Sequence, residues 1–198
     1  GYPERLEGKF MSNILNYNVV DVDKYCINCR YNTKSNKKMY LIGDSHAAIL
    51  VSNLKDRVIQ RDFQFIPSTV RKGGCLFYPG IRTVIKKTNK IIEECNEDYY
   101  DNLVEELSSE NNQIIIFAGR FPLHLNEKVF DNQEGGLENK SNWYTKFIPL
   151  RNYENIEQSF RTEVLKLSKS NKIILVYPIP EVGFDINSKL FVNYRKNS

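Results

Sequence analysis

A chain of 198 residues with 41% hydrophobic, 26% charged and 12% aromatic residues suits one globular domain and is excluded from the disordered and collagen-like classes. Its net charge of +4 is dispersed, with lysines and arginines interleaved among acids such as Glu93, Glu94, Glu105 and Glu106, so no basic face forms and no nucleic-acid partner is expected. No run approaches the about 18 consecutive apolar residues of a membrane helix, and Gly1-Tyr2-Pro3-Glu4-Arg5 lacks the basic and apolar pattern of a signal peptide.

Residues 1–38 are expected to form an N-terminal extension packing on a domain that spans 39–198. Met39 to Ile42 is a short apolar run ending at Gly43-Asp44. Ile49, Leu50, Leu54 and Val58 then change the period from strand to helix over Ser45 to Val58. Phe63, Phe65 and Ile66 predict a second strand, closed by Pro67, and Gly73-Gly74-Cys75 with Pro79-Gly80 marks a loop. Val84, Ile85, Ile91 and Ile92 fit one amphipathic helix, and Tyr99, Leu103, Val104 and Leu107 fit another, separated near Asn96.

The continuous apolar run Ile114-Ile115-Ile116-Phe117-Ala118 predicts a strand buried on both faces. Phe121 to Leu150, polar and rich in Asn with Gly135-Gly136, reads as a functional insertion. Ile156, Phe160, Val164 and Leu167 have helical spacing, and Ile173-Ile174-Leu175-Val176 predicts another buried strand. Alternation of this kind gives a three-layer α/β/α fold with a mainly parallel sheet, right-handed crossovers and helices on both faces.

Sites in such sheets lie beyond the carboxyl ends of the strands. Gly43-Asp44-Ser45-His46, Ala118-Gly119-Arg120 and Tyr177-Pro178-Ile179-Pro180-Glu181 all fall at that edge. Ser45 would open a helix directly after a strand, where its hydroxyl can project into the cleft and backbone N–H groups can face an oxyanion, with Gly43 permitting the tight turn. Alternatively, Ser45 caps that helix. Cys26-Ile27-Asn28-Cys29 has the spacing of half a zinc site, but no second closely spaced pair completes it, so no metal is expected. The even count of four cysteines (Cys26, Cys29, Cys75 and Cys95) is compatible with two disulfides in an oxidising compartment.

Leu41-Ile42-Gly43-Asp44-Ser45-His46-Ala47 resembles the first block of SGNH hydrolases, specifically those fused to membrane acyltransferase type 3 domains. Gly74-Cys75 resembles the second-block glycine, and Phe117-Ala118-Gly119-Arg120-Phe121-Pro122-Leu123 the third block, with arginine where many such enzymes have asparagine. Phe130 to Gly136, Tyr177 to Gly183 and Gly1 to Arg5 extend the resemblance over nearly the whole chain. It implies a flavodoxin-like SGNH hydrolase fold, Ser45 as nucleophile, and an oxyanion hole from Ser45, Gly74 and Arg120. No cofactor is implied. The implied activity is O-acetylation of a cell-surface or periplasmic glycan, with a carbohydrate esterase or a noncatalytic glycan-binding module as alternatives. The implied partners are a glycan acceptor and an acyl donor delivered by an acyltransferase membrane domain, on the extracytoplasmic side of a bacterial membrane.

One departure stands out. The last block of the family, Asp-x-x-His, supplies the base and its orienting acid, yet only Asp185 and no histidine follows Val182. Truncation at the C-terminus is the expected reason, with little esterase activity expected from the chain alone. His46, next to the nucleophile, diverges from it at a helix start and is a poor substitute. His124 is expected at most to touch substrate. Arg120 either faces the oxyanion or pairs with an acid such as Glu181. Cys75 and Cys95 would tie the second-block loop to the helix expected after it, or remain buried thiols; the periplasmic setting that the resemblance implies favours the bond. Thiol counting under denaturation, before and after reduction, should therefore find a Cys75–Cys95 disulfide and a separate Cys26–Cys29 pair; free thiols or a crossed connectivity would refute this.

Overall fold

In this computed structural model the described residues are 30–68, 76–92, 97–126, 145–150 and 152–177. They lie in one unit comprising residues 25–128 and 142–179, while a second unit of residues 1–24, 129–141 and 180–198 lies outside the described residues. The elements in chain order are β1 (Lys38–Gly43), α1 (Ser45–Gln60), β2 (Gln64–Ser68), β3 (Ile81–Ile85), α2 (Glu97–Ser109), β4 (Ile114–Ala118), α3 (Phe121–Asn126), β5 (Thr145–Pro149), α4 (Ile156–Leu167) and β6 (Lys172–Val176).

β1 and β4 form the centre of a four-stranded sheet ordered β2-β1-β4-β6, in which every pairing is parallel. Their side chains alternate between two cores. Tyr40, Ile42, Ile115 and Phe117 pack with Tyr100 and Leu107 of α2 and with Phe160, Val164 and Leu167 of α4. Leu41, Ile116 and Ala118 face the other way, toward Ala47, Val51 and Val58 of α1. A strand covered on both faces reads in sequence as an unbroken apolar run, which is why these two were legible. Each large side chain so buried contributes about 2 kcal/mol relative to exposure. The expected α/β architecture, a mainly parallel sheet flanked by helices, is what the chain adopts.

Four local expectations change. Val84 to Ile92 is not a helix: β3 ends at Ile85, the chain turns through Asn89 at φ 56°, and Ile91 returns opposite Val84 as an antiparallel bridge. Apolar residues at 84, 85, 91 and 92 satisfy a helical period and a folded-back hairpin equally well, and the β-branched run Thr83-Val84-Ile85 decides for the strand. The stretch from Phe121 to Leu150 is not wholly an insertion. It includes α3 and β5, and β5 pairs antiparallel with β3 in a second, two-stranded sheet. Residues 127–144 between them lie outside the described residues.

Pro67 lies inside β2 rather than after it, and β2 tolerates a residue without an N–H because it is an edge strand paired in the sheet with β1. β6 is less buried than its Ile-Ile-Leu-Val run predicts, with Ile174 36% and Leu175 51% exposed, because it occupies the other edge.

The second sheet is fastened to α4 at Gly80. This glycine has φ +79°, and a Cβ on it would lie 2.6 Å from the Ser159 carbonyl oxygen. Its own carbonyl accepts from the buried Ser159 hydroxyl at 2.6 Å and from the Leu150 N–H at 3.1 Å. Asn155, whose side chain accepts from the Gln158 N–H, caps α4 one turn earlier and fixes its first turn against this contact. Gly80→Ala should cost about 2 kcal/mol or more, from left-handed strain added to backbone overlap. Urea unfolding checks this as a lowered midpoint at an unchanged slope.

Candidate active site

The parallel register sets Gly43 beside Ala118 and Ala118 beside Val176, so Asp44, Gly119 and Tyr177 leave the sheet together at its carboxyl edge. From β1 the chain crosses to β2 on one side, whereas β4 and β6 lie on the other. The gap between the ends of β1 and β4 is therefore the topological switch point, where open α/β sheets bind their ligands. α1 starts there, with the positive end of its dipole toward that edge.

The switch point is closed by one carboxylate. Asp44 is buried and is the N-cap of α1: its Oδ1 accepts from the His46 N–H at 2.8 Å. Its Oδ2 accepts from the Arg120 N–H, also at 2.8 Å, across 76 residues of chain. His124 Nε2 lies 2.8 Å from the same Oδ2. Because a carboxylate only accepts, the histidine must present Nε2–H to it.

His124 is held at this spot by α3. Its N–H bonds the Arg120 carbonyl at 3.1 Å, and its ring stands edge-on to Phe147 at 4.9 Å and tilted to Tyr78 at 5.6 Å. Its Nδ1 is buried with no hydrogen-bond partner among the described residues. Gly119 fits between these groups only because it has no side chain: a Cβ would fall 1.8 Å from the Tyr78 hydroxyl oxygen and 2.8 Å from Asp44 Oδ2. The Tyr78 hydroxyl donates to the Ala118 carbonyl at 3.1 Å.

Burial alone would raise the Asp44 pKa. The hydrogen bonds from His124, Arg120 and His46, with the charge of His124, outweigh burial and hold the carboxyl below the usual aspartate value. Burial, then the Asp44 charge, push the Tyr78 phenol upward, so it stays a neutral donor.

The residues named from the sequence fare differently. Ser45 is the first residue of α1, directly after Asp44 at the switch point, and the capping role weighed for it belongs to Asp44. The side chain of Ser45 lies outside the described residues, as do Gly74, Cys75, Cys95, Cys26, Cys29, Glu181 and Asp185. Leu76 to Tyr78, which come after the second-block loop, are buried, and Tyr78 brings that segment to the end of β4. Arg120 is at the site, and its backbone N–H is committed to Asp44. His124 faces Asp44 from a buried position rather than open solvent.

Sequence reasoning missed the Asp44–Arg120–His124 junction. Half of it had a signal, since aspartate immediately before a helical period is a capping pattern. Among the described residues no group of three or more His, Cys, Asp or Glu is placed to hold a metal ion. No helix among them is long and apolar enough to cross a membrane. The arrangement offers a helix N-terminus with serine as its first residue, beside a glycine turn held in place by a fixed anion. A helix N-terminus can turn backbone N–H groups toward a developing negative charge and place a hydroxyl beside them.

A family model described as "SGNH domain (fused to AT3 domains)" matches residues 17–198. No curated protein and no solved structure matches the chain.

The lowered Asp44 pKa links this junction to pH. A carboxylate whose folded value lies below its unfolded one stabilises the fold fully above the unfolded value, about 3.9. That contribution disappears as pH falls through the folded value. Asp44→Asn should flatten this part of the acid limb of stability against pH. At pH 7 it should cost about 1–3 kcal/mol, because an amide cannot accept all three donors. Urea unfolding of both chains at a series of pH values tests it; parallel curves would refute the linkage.

Proposed function

The chain belongs to the SGNH domains fused to AT3 domains, and from that premise we propose that it is an acyl-transfer domain that O-acetylates a glycan through an acyl-enzyme on Ser45. The observation that supports this most is the position of Ser45, first in α1, at the switch point and next to the anchored Asp44. In the proposed cycle the Ser45 oxygen attacks the carbonyl of an acetyl donor, and its proton passes to a base. The tetrahedral oxyanion collapses with loss of the donor's leaving group, which takes up a proton. A sugar hydroxyl then attacks the acetyl-serine ester, restoring the serine hydroxyl and yielding the acetylated glycan. Water in place of the sugar would give hydrolysis, so the acceptor separates a transferase from an esterase.

The donor is proposed to be supplied by an acyltransferase membrane domain on the extracytoplasmic side of the membrane. The oxyanion is proposed to be met by backbone at Ser45 and Gly74, together with Arg120. The base is proposed to come from an Asp-x-x-His block. Of the two histidines in this sequence, His124 already engages Asp44 through Nε2. Loss of one triad member lowers rates by several powers of ten without abolishing acylation, so a stoichiometric readout is the sensitive one.

On incubation with p-nitrophenyl acetate, intact-mass spectrometry should find one added acetyl group, mapped to the peptide containing Ser45 and absent in Ser45→Ala. Addition of an acceptor glycan should discharge it faster than water does. An unacetylated Ser45, or equal acetylation of Ser45→Ala, would overturn the acyl-enzyme. If the unacetylated chain still bound glycan, the noncatalytic reading would replace it.

A further inference from the structure

We propose that His124 is a positioning residue for the Ser45 turn: acting through Asp44, its Nε2–H locks the carboxylate that joins the start of α1 to the Gly119-Arg120 turn. The reference to acyl transfer rests on the function proposed above; the positional claim rests on the geometry alone. One oxygen of Asp44 takes the His46 N–H and the other the Arg120 N–H, so the orientation of this single carboxylate fixes how the two turns sit relative to each other. Two backbone donors on one short side chain leave its rotation governed by those turns. His124 adds a third donor from α3, whose own place is set by the Arg120 carbonyl and by ring packing against Phe147 and Tyr78.

Packing alone does not account for a histidine here. A phenylalanine would fill the space between Tyr78 and Phe147 without burying a polar atom. The histidine leaves Nδ1 buried and unpartnered among the described residues, a cost that the Nε2–H bond to Asp44 offsets. Small displacements of a reacting group, on the order of 1 Å, lower rates by up to about a hundredfold, so a strut of this kind bears on acylation without touching substrate.

The test compares His124→Phe, which keeps a ring and loses the donor, with His124→Gln, whose side-chain N–H has similar reach to Nε2. His124→Phe should slow acetylation of Ser45 by p-nitrophenyl acetate about tenfold to a hundredfold, with an unchanged half-saturating concentration. His124→Gln should recover most of the loss. Amide hydrogen exchange at His46 and Arg120 should be faster in His124→Phe and return toward wild type in His124→Gln. Wild-type acetylation in His124→Phe, or a His124→Gln chain as slow as His124→Phe, overturns the proposal. If wild type shows no Ser45-dependent acetylation, the proposed function fails, and the exchange rates at the two amides decide the positioning claim by themselves. Should His124→Phe not fold, long-range 1H–15N spectra of the wild-type ring decide it: a proton on Nε2 supports the strut, and a ring protonated on Nδ1 alone overturns it.

Discussion

A buried carboxylate must have its charge satisfied or the fold around it fails, and at Asp44 that requirement organises one edge of the sheet. Three donors converge on its two oxygens, from the first turn of α1, from the turn after β4 and from α3. The turn after β4 runs straight into α3, but the first turn of α1 lies more than 70 residues away in sequence and is joined to both by this carboxylate. The same anion adds to the burial that pushes the Tyr78 phenol upward, and with the Tyr78 hydroxyl it takes the space a side chain on Gly119 would need. Uniform burial of a charge is expensive, yet a fully bonded one fixes geometry more tightly than apolar packing does, because each bond has a direction.

The sequence revealed what repeats along the chain and concealed what meets across it. β1, β4 and α1 were legible because unbroken apolar runs and a 3.6-residue period are local signals of strands buried on both faces and of a helix with one apolar stripe. Residues 84, 85, 91 and 92 fit both a helical period and a hairpin, and the β-branched run at Thr83 to Ile85, with the return of Ile91 to Val84, resolves them as strand. β5 was hidden in a polar stretch: Thr145-Lys146-Phe147-Ile148-Pro149 is half-buried throughout, so it shows little alternation. At the site, the Ser45 position followed from a strand-to-helix change within two residues. The partnership of Asp44 with His124 spans 80 residues and has no local signal.

Fold and family are a different kind of knowledge from chemistry. The parallel order β2-β1-β4-β6 brings the Gly43 and Ala118 ends together and would do so for many reactions. What narrows it is the particular set placed there: a serine at N1 of a helix, an aspartate cap shared with a glycine turn, and aromatic rings packed beneath it.

The distances in sequence across the Asp44 junction also dictate an order of events. A growing chain that has reached the end of α1 already has Asp44 and the His46 amide but neither Arg120 nor His124, which arrive with β4 and α3. Until then the carboxylate is solvated, and its only bond to the protein is the cap it makes to the His46 N–H. Contacts of such long range form late, because the entropy of closing the intervening loop must be met before they contribute. The switch point is thus assembled after the helix that starts at it. During synthesis, the edge of β1 that will receive β4 stays open until that moment, and an open edge of this kind can pair with another chain.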